Sequence, residues 1–259
     1  MTTPLLAATE LCKSFGRLPA VRQVSLTVAP GSITGLIGPN GAGKTTLFNL
    51  LAGSLRPDSG QVLFQNQVIT GLPPHRIAQQ GLVRTFQVAR VFSRLSVLEN
   101  VLLAAPGQLG EQVWPLWLQP QRVAQQERQL RQEAMDILAS VGLAAKAQDY
   151  AGALSGGQRK LLEMARALMT RPQLMLLDEP AAGVNPTLIN QMCEYIQAWN
   201  QAGITFLIIE HNMDVIMSLC QQVWVLAEGK NLAVGTPGEI QTNPTVLAAY
   251  LGGGEEEQK

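Results

Sequence analysis

The sequence has few charges and no excess of either sign. Lysine plus arginine total 19 and aspartate plus glutamate total 19, so the formal net charge is zero, and 15% of the residues are charged, against about 25% in an average domain. A protein that binds nucleic acid through bulk electrostatics needs a basic excess, so the composition argues against that class. So lightly charged a surface must be kept soluble in some other way or be covered by a partner.

Long apolar runs are also missing. The strongest runs, Leu174–Leu177 and Ile204–Ile209, are far shorter than the roughly 18 residues of a membrane span and have the length of buried strands. The N-terminus, Met1–Leu11, has no basic region followed by an apolar stretch, which predicts no secretory signal and a cytosolic protein. The three cysteines form no CxxC pair, which predicts reduced, structural thiols and no metal site.

Short apolar runs alternate with helical patterns along most of the 259 residues. A predicted strand at Ser32–Ile37 is followed by a Gly-rich turn and a predicted helix at Lys44–Ala52, which is a strand–loop–helix unit of the α/β kind. Later apolar runs repeat this pattern, so we expect an α/β fold with a mostly parallel sheet. Leu6–Leu11 and Val24–Ala29 flank a turn-like segment and predict an additional antiparallel pair.

The middle of the chain, Val88–Tyr150, loses the strand signal and predicts a helical insertion. It contains a helix candidate at Gln121–Ser140 and two tryptophans, Trp114 and Trp117, next to prolines. These tryptophans could pack in a small satellite core or form an exposed docking surface, since aromatic residues are enriched at the cores of interfaces.

A glycine-rich loop between the first predicted core strand and its helix carries the strongest chemical signal. It fits G-x-x-x-x-G-K-[ST] in the expected context. Such a loop turns its backbone N–H groups and the helix N-terminus toward a β-phosphate, while Lys44 reaches the β- and γ-phosphates and Thr45 can ligate Mg²⁺. A glycine turn that only caps a helix is the weaker alternative. The loop consists of Gly38, Pro39, Asn40, Gly41, Ala42, Gly43, Lys44 and Thr45.

Two carboxylates follow the apolar run that begins at Leu174. Asp178 and Glu179 lie at the predicted carboxyl end of a strand, where α/β sheets bind ligands. Asp178 is placed to orient Mg²⁺, and Glu179 is the candidate that polarises the attacking water. A loop carboxylate that caps the next helix is the alternative, but the phosphate-binding loop favours catalysis.

A Leu-Ser-Gly-Gly-Gln segment opens another predicted helix. Ser155 and Gln158 have the spacing of a capping box, so an ordinary helix N-terminus explains part of the pattern. The two glycines, Gly156 and Gly157, also allow close backbone approach of an anion. Because the chain already has one phosphate-binding loop, this second candidate suggests that it serves the nucleotide of a neighbouring subunit.

Together and in this order, these motifs resemble the ATP-binding subunits of ABC transporters over nearly the whole chain. The resemblance implies ATP and Mg²⁺ at Gly38–Thr45 with Thr46, and a head-to-tail pair of subunits in which Ser155–Gln158 contact the partner's nucleotide. It also implies roles for three more residues: Gln87 would touch Mg²⁺ and report to the membrane partner, His211 would contact the γ-phosphate, and Phe15 would stack on adenine.

Asn185 stands where the family usually has an aspartate in the loop that crosses the dimer interface. This variant, the run Ile209–Asp214 and the ending from Gly235 to Gly252 resemble branched-chain amino-acid import ATPases of the LivG type. Urea and amide importers and the lipopolysaccharide-export ATPase share much of the pattern. An ABC ATPase outside transport remains a further alternative, although the chain has neither a long coiled-coil insertion nor a second cassette, and a binding module without hydrolysis is disfavoured by Glu179 and His211.

The resemblance therefore predicts one nucleotide-binding domain over residues 1–259. Residues 1–87 and 166–259 would form its catalytic α/β core with an antiparallel β-subdomain, and residues 88–165 its helical subdomain. The expected partners are a second ATP-binding subunit, identical or related, and a multi-span permease, with a solute-binding protein acting indirectly and no nucleic acid. The expected location is peripheral, on the cytoplasmic face of the inner membrane.

Overall fold

The computed structural model describes residues 3–85, 90–108 and 120–251. Gln87, Trp114 and Trp117, which the sequence singled out, lie outside the described residues. The chain divides into two compact units, which are described separately below. Unit 1 comprises Met1–Arg84, Gln173–Ala182 and Ile196–Lys259, and unit 2 comprises Thr85–Pro172 and Gly183–Tyr195.

The described residues alternate strands with helices. The strands are β1 (Leu6–Phe15), β2 (Leu18–Val28), β3 (Ile33–Ile37), β4 (Ser59–Phe64), β5 (Gln67–Val68), β6 (Leu82–Arg84), β7 (Leu174–Asp178), β8 (Thr205–Ile209), β9 (Gln222–Ala227) and β10 (Lys230–Gly235). The helices are α1 (Lys44–Leu51), α2 (Pro74–Gln79), α3 (Val97–Leu102), α4 (Pro120–Ser140), α5 (Gly156–Met169), α6 (Pro186–Gln201), α7 (Met213–Leu219), α8 (Pro237–Gln241) and α9 (Pro244–Leu251). None of these helices is long and apolar enough to cross a membrane.

Unit 1 is built on a six-stranded sheet with the order β10-β9-β3-β8-β7-β6. Strands β9, β3, β8, β7 and β6 are parallel, and β10 is antiparallel to β9. Every residue of β3, β7 and β8 is buried. Their continuous apolar sequences suit the centre of a parallel sheet, which is covered on both faces. The predicted α/β fold is confirmed.

A second, antiparallel sheet in unit 1 has the order β2-β1-β4-β5. The predicted antiparallel pair is thus present as β1 and β2, but both strands are longer than predicted, and β4 and β5 were not predicted. Helix α1 buries Leu47, Phe48, Leu50 and Leu51 in a core shared with residues of both sheets. Burial of each such side chain contributes about 1.5–3 kcal/mol of hydrophobic free energy. Because this burial holds α1 in place, it also fixes the end of the glycine-rich loop that leads into α1.

Unit 2 contains α3, α4, α5 and the first part of α6. Helix α4 buries Val123, Leu130, Ala134 and Leu138, a spacing that places them on one face of the helix. Ser155 and Gln158 form a capping box at the start of α5, as predicted. Capping satisfies backbone N–H groups that the first turn leaves without partners, so it fixes where α5 begins.

Candidate active site

The three central strands of unit 1 end in the loops that carry the predicted chemistry. Strand β3 leads into the glycine-rich loop, β7 into Glu179, and β8 into His211. These strands are neighbours in the order β3-β8-β7 and run parallel, so their carboxyl ends meet at one edge of the sheet. Open α/β sheets bind their ligands at this edge.

The glycine-rich loop is held by close backbone packing. A Cβ atom on Gly38 would lie 2.1 Å from the carbonyl oxygen of Leu226, and one on Gly43 would lie 2.4 Å from the carbonyl oxygen of Ala20. Both glycines also have positive φ, 153° and 94°. A Cβ on Gly41 would meet nothing within 4 Å. Gly38 and Gly43 thus need glycine both for close packing and for their backbone conformation, whereas Gly41, with φ of 76°, needs it for its backbone conformation alone.

Lys44 is the first residue of α1 and is only 7% exposed. Its Nζ donates to the carbonyl oxygens of Gly38 at 2.7 Å and of Pro39 at 3.0 Å. Burial lowers the pKa of the Lys44 ammonium, and the negative charges of Glu179 and Asp178 partly oppose that shift. The predicted lysine and the two predicted carboxylates therefore act on one another electrostatically in the same site.

Asp178 is the last residue of β7 and is buried. Its Oδ2 accepts a hydrogen bond from Nη2 of Arg84 at 2.8 Å, and Nη1 of Arg84 donates to Oδ1 of Asn49 at 2.6 Å. The guanidinium also lies 5.8 Å from the ring centroid of Phe48. Sequence reasoning missed Arg84, which stabilises the aspartate as a buried carboxylate and ties the end of β6 to α1.

Glu179 follows Asp178 in a left-handed backbone conformation, with φ of 48°. Its N–H donates to the carbonyl oxygen of Ile209 at 2.9 Å. Its Oε1 lies 2.8 Å from Nε2 of His211. Two residues that were predicted separately, 32 positions apart in the chain, are thus brought into direct contact. A histidine that binds a neighbouring carboxylate can hold that carboxylate in the orientation that a general base needs.

Glu210 is a second residue that sequence reasoning did not assign. It lies between Ile209 and His211 and is buried. Its carboxylate accepts hydrogen bonds from backbone N–H groups, including that of Ala181 at 2.6 Å. A glutamate directly after a buried strand was the only signal in the sequence, and that signal does not reveal what the side chain contacts.

Phe15 and the threonines of α1 lie in unit 1. Phe15 ends β1 next to the turn and is 51% exposed, so its ring can take a stacking partner. Thr45 and Thr46 are in the first turn of α1, where Thr45 is exposed. Among the described residues, no group of three or more His, Cys, Asp and Glu side chains could hold a metal ion.

The Leu-Ser-Gly-Gly-Gln segment lies in unit 2. The Oγ of Ser155 accepts from the N–H of Gln158 at 3.3 Å, and the Oε1 of Gln158 accepts from the N–H of Ser155 at 3.1 Å. A Cβ atom on Gly156 would meet nothing within 4 Å, whereas one on Gly157 would lie 2.3 Å from Cδ2 of Leu188. Ser155 and Gln158 line an open groove of 570 Å³ together with Asn185, whose Oδ1 caps α6 by accepting from the N–H of Leu188 at 2.9 Å.

Comparison with known proteins identifies the family. The family model described as "ABC transporter" matches residues 21–182, and the model described as "Branched-chain amino acid ATP-binding cassette transporter" matches residues 230–256. The chain is 40% identical over 253 residues to the high-affinity branched-chain amino acid transport ATP-binding protein LivG of Escherichia coli K12 and to its counterpart BraF of Pseudomonas aeruginosa. In each case the match covers 97% of this chain and 99% of the relative.

A solved structure agrees in fold. The ADP conformation of MJ1267, an ATP-binding cassette of an ABC transporter, matches with a TM-score of 0.83 and 35% sequence identity, covering 97% of this chain and 100% of the other. A nucleotide-free cassette from an ABC transporter also matches with a TM-score of 0.83, covering 96% and 99% of the two chains. The chain therefore belongs to the ABC transporter family and is one of its ATP-binding cassettes.

Proposed function

We propose that the protein is the ATP-hydrolysing subunit of an importer that takes up branched-chain or other neutral amino acids through a separate permease. The observation that carries hydrolysis is the contact of Glu179 with His211 at 2.8 Å, at the sheet edge where Lys44 also lies. The names of the relatives, together with the C-terminal family match at residues 230–256, support the amino-acid substrate.

In this mechanism Glu179 is the general base. Its carboxylate polarises the water that attacks the γ-phosphate, and His211 orients that carboxylate and contacts the γ-phosphate. Lys44 holds the β- and γ-phosphates, and the backbone of Gly38–Gly43 with the N-terminus of α1 stabilises their negative charge. Helix α1 has no side-chain cap, so no side-chain oxygen would compete with a phosphate for the N–H groups of its first turn.

The residues present fit Mg²⁺. The exposed hydroxyl of Thr45 and the carboxylate of Asp178 are oxygen ligands, which this cation prefers. We assign both to the cation, with Gln87 as a third contact, and Mg²⁺ would neutralise charge on the phosphate oxygens. Phe15 would stack on the adenine ring. Residues 39–42 and Thr46 complete the nucleotide contacts.

A second subunit completes the site. Ser155, Gly156, Gly157 and Gln158 would contact the γ-phosphate held by the partner subunit, so that ATP joins the two subunits and hydrolysis releases them. The partner is a second copy or a related chain. The pair would bind a multi-span permease on the cytoplasmic face of the inner membrane. A solute-binding protein would deliver the solute to that permease.

Glu179→Gln tests the assignment of the base. The amide keeps the shape of the side chain but cannot accept the proton, so we expect ATP turnover to fall by about 10²–10⁴-fold while ATP still binds. Glu228→Gln is a matched control, because Glu228 is exposed and has nearly the same φ, 47° against 48°. Release of phosphate by Glu179→Gln at the wild-type rate, measured in a continuous phosphate assay, would exclude Glu179 as the base.

Ser155→Arg tests the contact with the partner subunit. The long cationic side chain should block ATP-dependent dimerisation, measured by light scattering, and leave ATP binding to the isolated chain intact. Ser96→Arg removes the same kind of helix cap at α3, where Ser96 and Glu99 form a capping box, and should still dimerise. A normal ATP-dependent dimer of Ser155→Arg would remove the assigned role.

Uptake measurements identify the substrate. Cells that lack the protein are compared with complemented cells for uptake of labelled leucine, alanine and urea. Loss of leucine or alanine uptake supports the proposal. Loss of urea uptake alone indicates a urea importer, and a defect in none of the three with disturbed lipopolysaccharide export indicates the export system.

A further inference from the structure

Glu210 is a buried carboxylate beside the catalytic pair. Only 3% of its surface is exposed, and burying a carboxylate is costly unless hydrogen bonds compensate for the lost water. The proposed mechanism uses Glu179 and His211 and assigns no role to Glu210. Glu210 lies directly after β8 and directly before His211, so the contacts that compensate for its burial lie next to the catalytic pair.

The two oxygens of Glu210 join two loops. Oε1 accepts from the N–H of Ala181, in the loop after β7, at 2.6 Å. Oε2 accepts from the N–H of His211, in the loop after β8, at 3.1 Å, and lies 3.5 Å from the N–H of Asn212. Hydrogen bonds to an ionised acceptor are about twice as strong as neutral ones, so this carboxylate is a firm link between the two loops.

These loops carry the catalytic pair. Glu179 is two residues before Ala181, and its left-handed conformation is held from both sides, since its N–H donates to Ile209 at 2.9 Å and its carbonyl oxygen accepts from Ala182 at 3.1 Å. A non-glycine residue in this conformation costs about 1–3 kcal/mol and persists only where the surroundings enforce it. The bond from Ala181 to Glu210 is part of that enforcement.

We propose that Glu210 is the positioning residue that sets the distance between Glu179 and His211. Both of its oxygens accept backbone N–H groups, so it acts on the loops and does not receive the proton of the attacking water. The inference rests on the proposed function, in which Glu179 activates that water.

Glu210→Gln tests this role. The amide retains one acceptor oxygen and places an NH₂ group against a backbone N–H, so one of the two loops is released. We expect kcat at saturating ATP to fall by about 10–100-fold, because displacement of a catalytic group by about 1 Å can cost 10²-fold. The KM for ATP should change less than about threefold, since the phosphate-binding loop is not touched. Glu210→Asp retains the charge but is too short to reach both loops, and should also lower kcat.

Glu239→Gln is the matched control. Glu239 also lies in unit 1 and accepts from a backbone N–H, that of Thr236, at 2.7 Å, but in a capping box outside the assigned site. The Glu239→Gln variant should keep the wild-type kcat. Thermal unfolding of each variant shows whether it is folded. If Glu210→Gln does not fold, the kcat of Glu210→Asp tests the proposal instead: a lowered kcat supports it, and a wild-type kcat overturns it.

The double variant separates positioning from a general structural role. In the Glu179→Gln background, Glu210→Gln should lower the residual turnover by less than about threefold, because the two residues act on the same step. A further 10–100-fold loss of turnover in the double variant overturns the role of Glu210. So does a wild-type kcat for the single variant Glu210→Gln when the single variant Glu179→Gln is inactive. Wild-type turnover by Glu179→Gln instead overturns the proposed function.

Discussion

We expect replacement of Arg84 by methionine to lower the free energy of unfolding by about 3–5 kcal/mol, the cost of removing one partner of a buried ion pair. The side chains of Arg84 and Asp178 are only 10% and 5% exposed, and their closest atoms are 2.8 Å apart. Methionine is unbranched and uncharged, so it removes the guanidinium and leaves the carboxylate of Asp178 buried without it. The penalty comes from that uncompensated charge more than from the loss of the bond itself.

A second arginine provides the comparison. In unit 2, Arg171 binds Glu133 with two hydrogen bonds, at 2.9 and 2.7 Å, but its side chain is 62% exposed. Water screens such a pair, and exposed pairs contribute about 0–1 kcal/mol. If burial decides the magnitude, Arg171→Met should cost less than about 1 kcal/mol although its hydrogen-bond geometry is at least as good.

Urea unfolding with linear extrapolation measures both variants. Arg84→Met should shift the thermal midpoint downward by roughly 6–20 °C, at about 2–4 °C per kcal/mol for a chain of this size. Asp178→Asn in the Arg84→Met background should recover part of the loss, since the carboxylate that lacks the guanidinium is then removed. The reasoning is refuted if Arg84→Met stays within about 1 kcal/mol of the wild type, or if Arg171→Met costs as much.

Two further predictions concern acid stability and nucleotide binding. The hydrogen bond from Arg171 lowers the pKa of Glu133, so its contribution to stability is present above the ordinary glutamate pKa of about 4.3 and is lost as the pH falls through the lower folded value. Glu133→Gln should therefore reduce the dependence of the unfolding free energy on pH below about 4.3, and an unchanged slope in urea titrations at several pH values would contradict this. Phe15→Ala should weaken ATP binding by about 1–3 kcal/mol, the cost of losing an aromatic stacking partner, with little effect on stability because the ring is exposed. Leu18→Ala, opposite it in the β1–β2 pair and 69% exposed, should bind ATP normally in calorimetry, and equal losses in both variants would argue against stacking.

The centre of the fold was predictable because its strands are continuous apolar runs. Strands β3, β7 and β8 appear in the sequence nearly at their observed bounds, since a parallel strand buried on both faces leaves a simple pattern. Strand β4 is different: it begins Ser-Gly-Gln, and its first three residues are exposed. It pairs with β1 inside the antiparallel sheet, so its existence depends on backbone hydrogen bonds to a distant segment that no local pattern reveals.

The candidate site shows the same division. Lys44, Asp178 and Glu179 were predicted because each belongs to a motif with a definite spacing or follows a recognisable strand, whereas His211 was assigned through the resemblance to the family. Arg84 and the side chain of Asn49 with which it pairs carry no such pattern, because their importance comes from contacts between β6, β7 and α1. The division of the chain into residues 1–87 with 166–259, and 88–165, stays a prediction.

The two glycines of the Leu-Ser-Gly-Gly-Gln segment show why a motif does not assign roles residue by residue. Both Gly156 and Gly157 match a pattern associated with close approach of a nucleotide. In the subunit itself, a side chain at Gly156 would meet nothing within 4 Å, whereas one at Gly157 would lie 2.3 Å from the Cδ2 methyl of Leu188. A side chain at Gly157 would therefore require the Leu188 side chain to move, so glycine favours the packing of α5 against α6 within the subunit itself. The absence of a side chain at Gly156 relieves no contact with the described residues of its own subunit, as we expect if, as proposed above, it makes room for the nucleotide of a partner subunit.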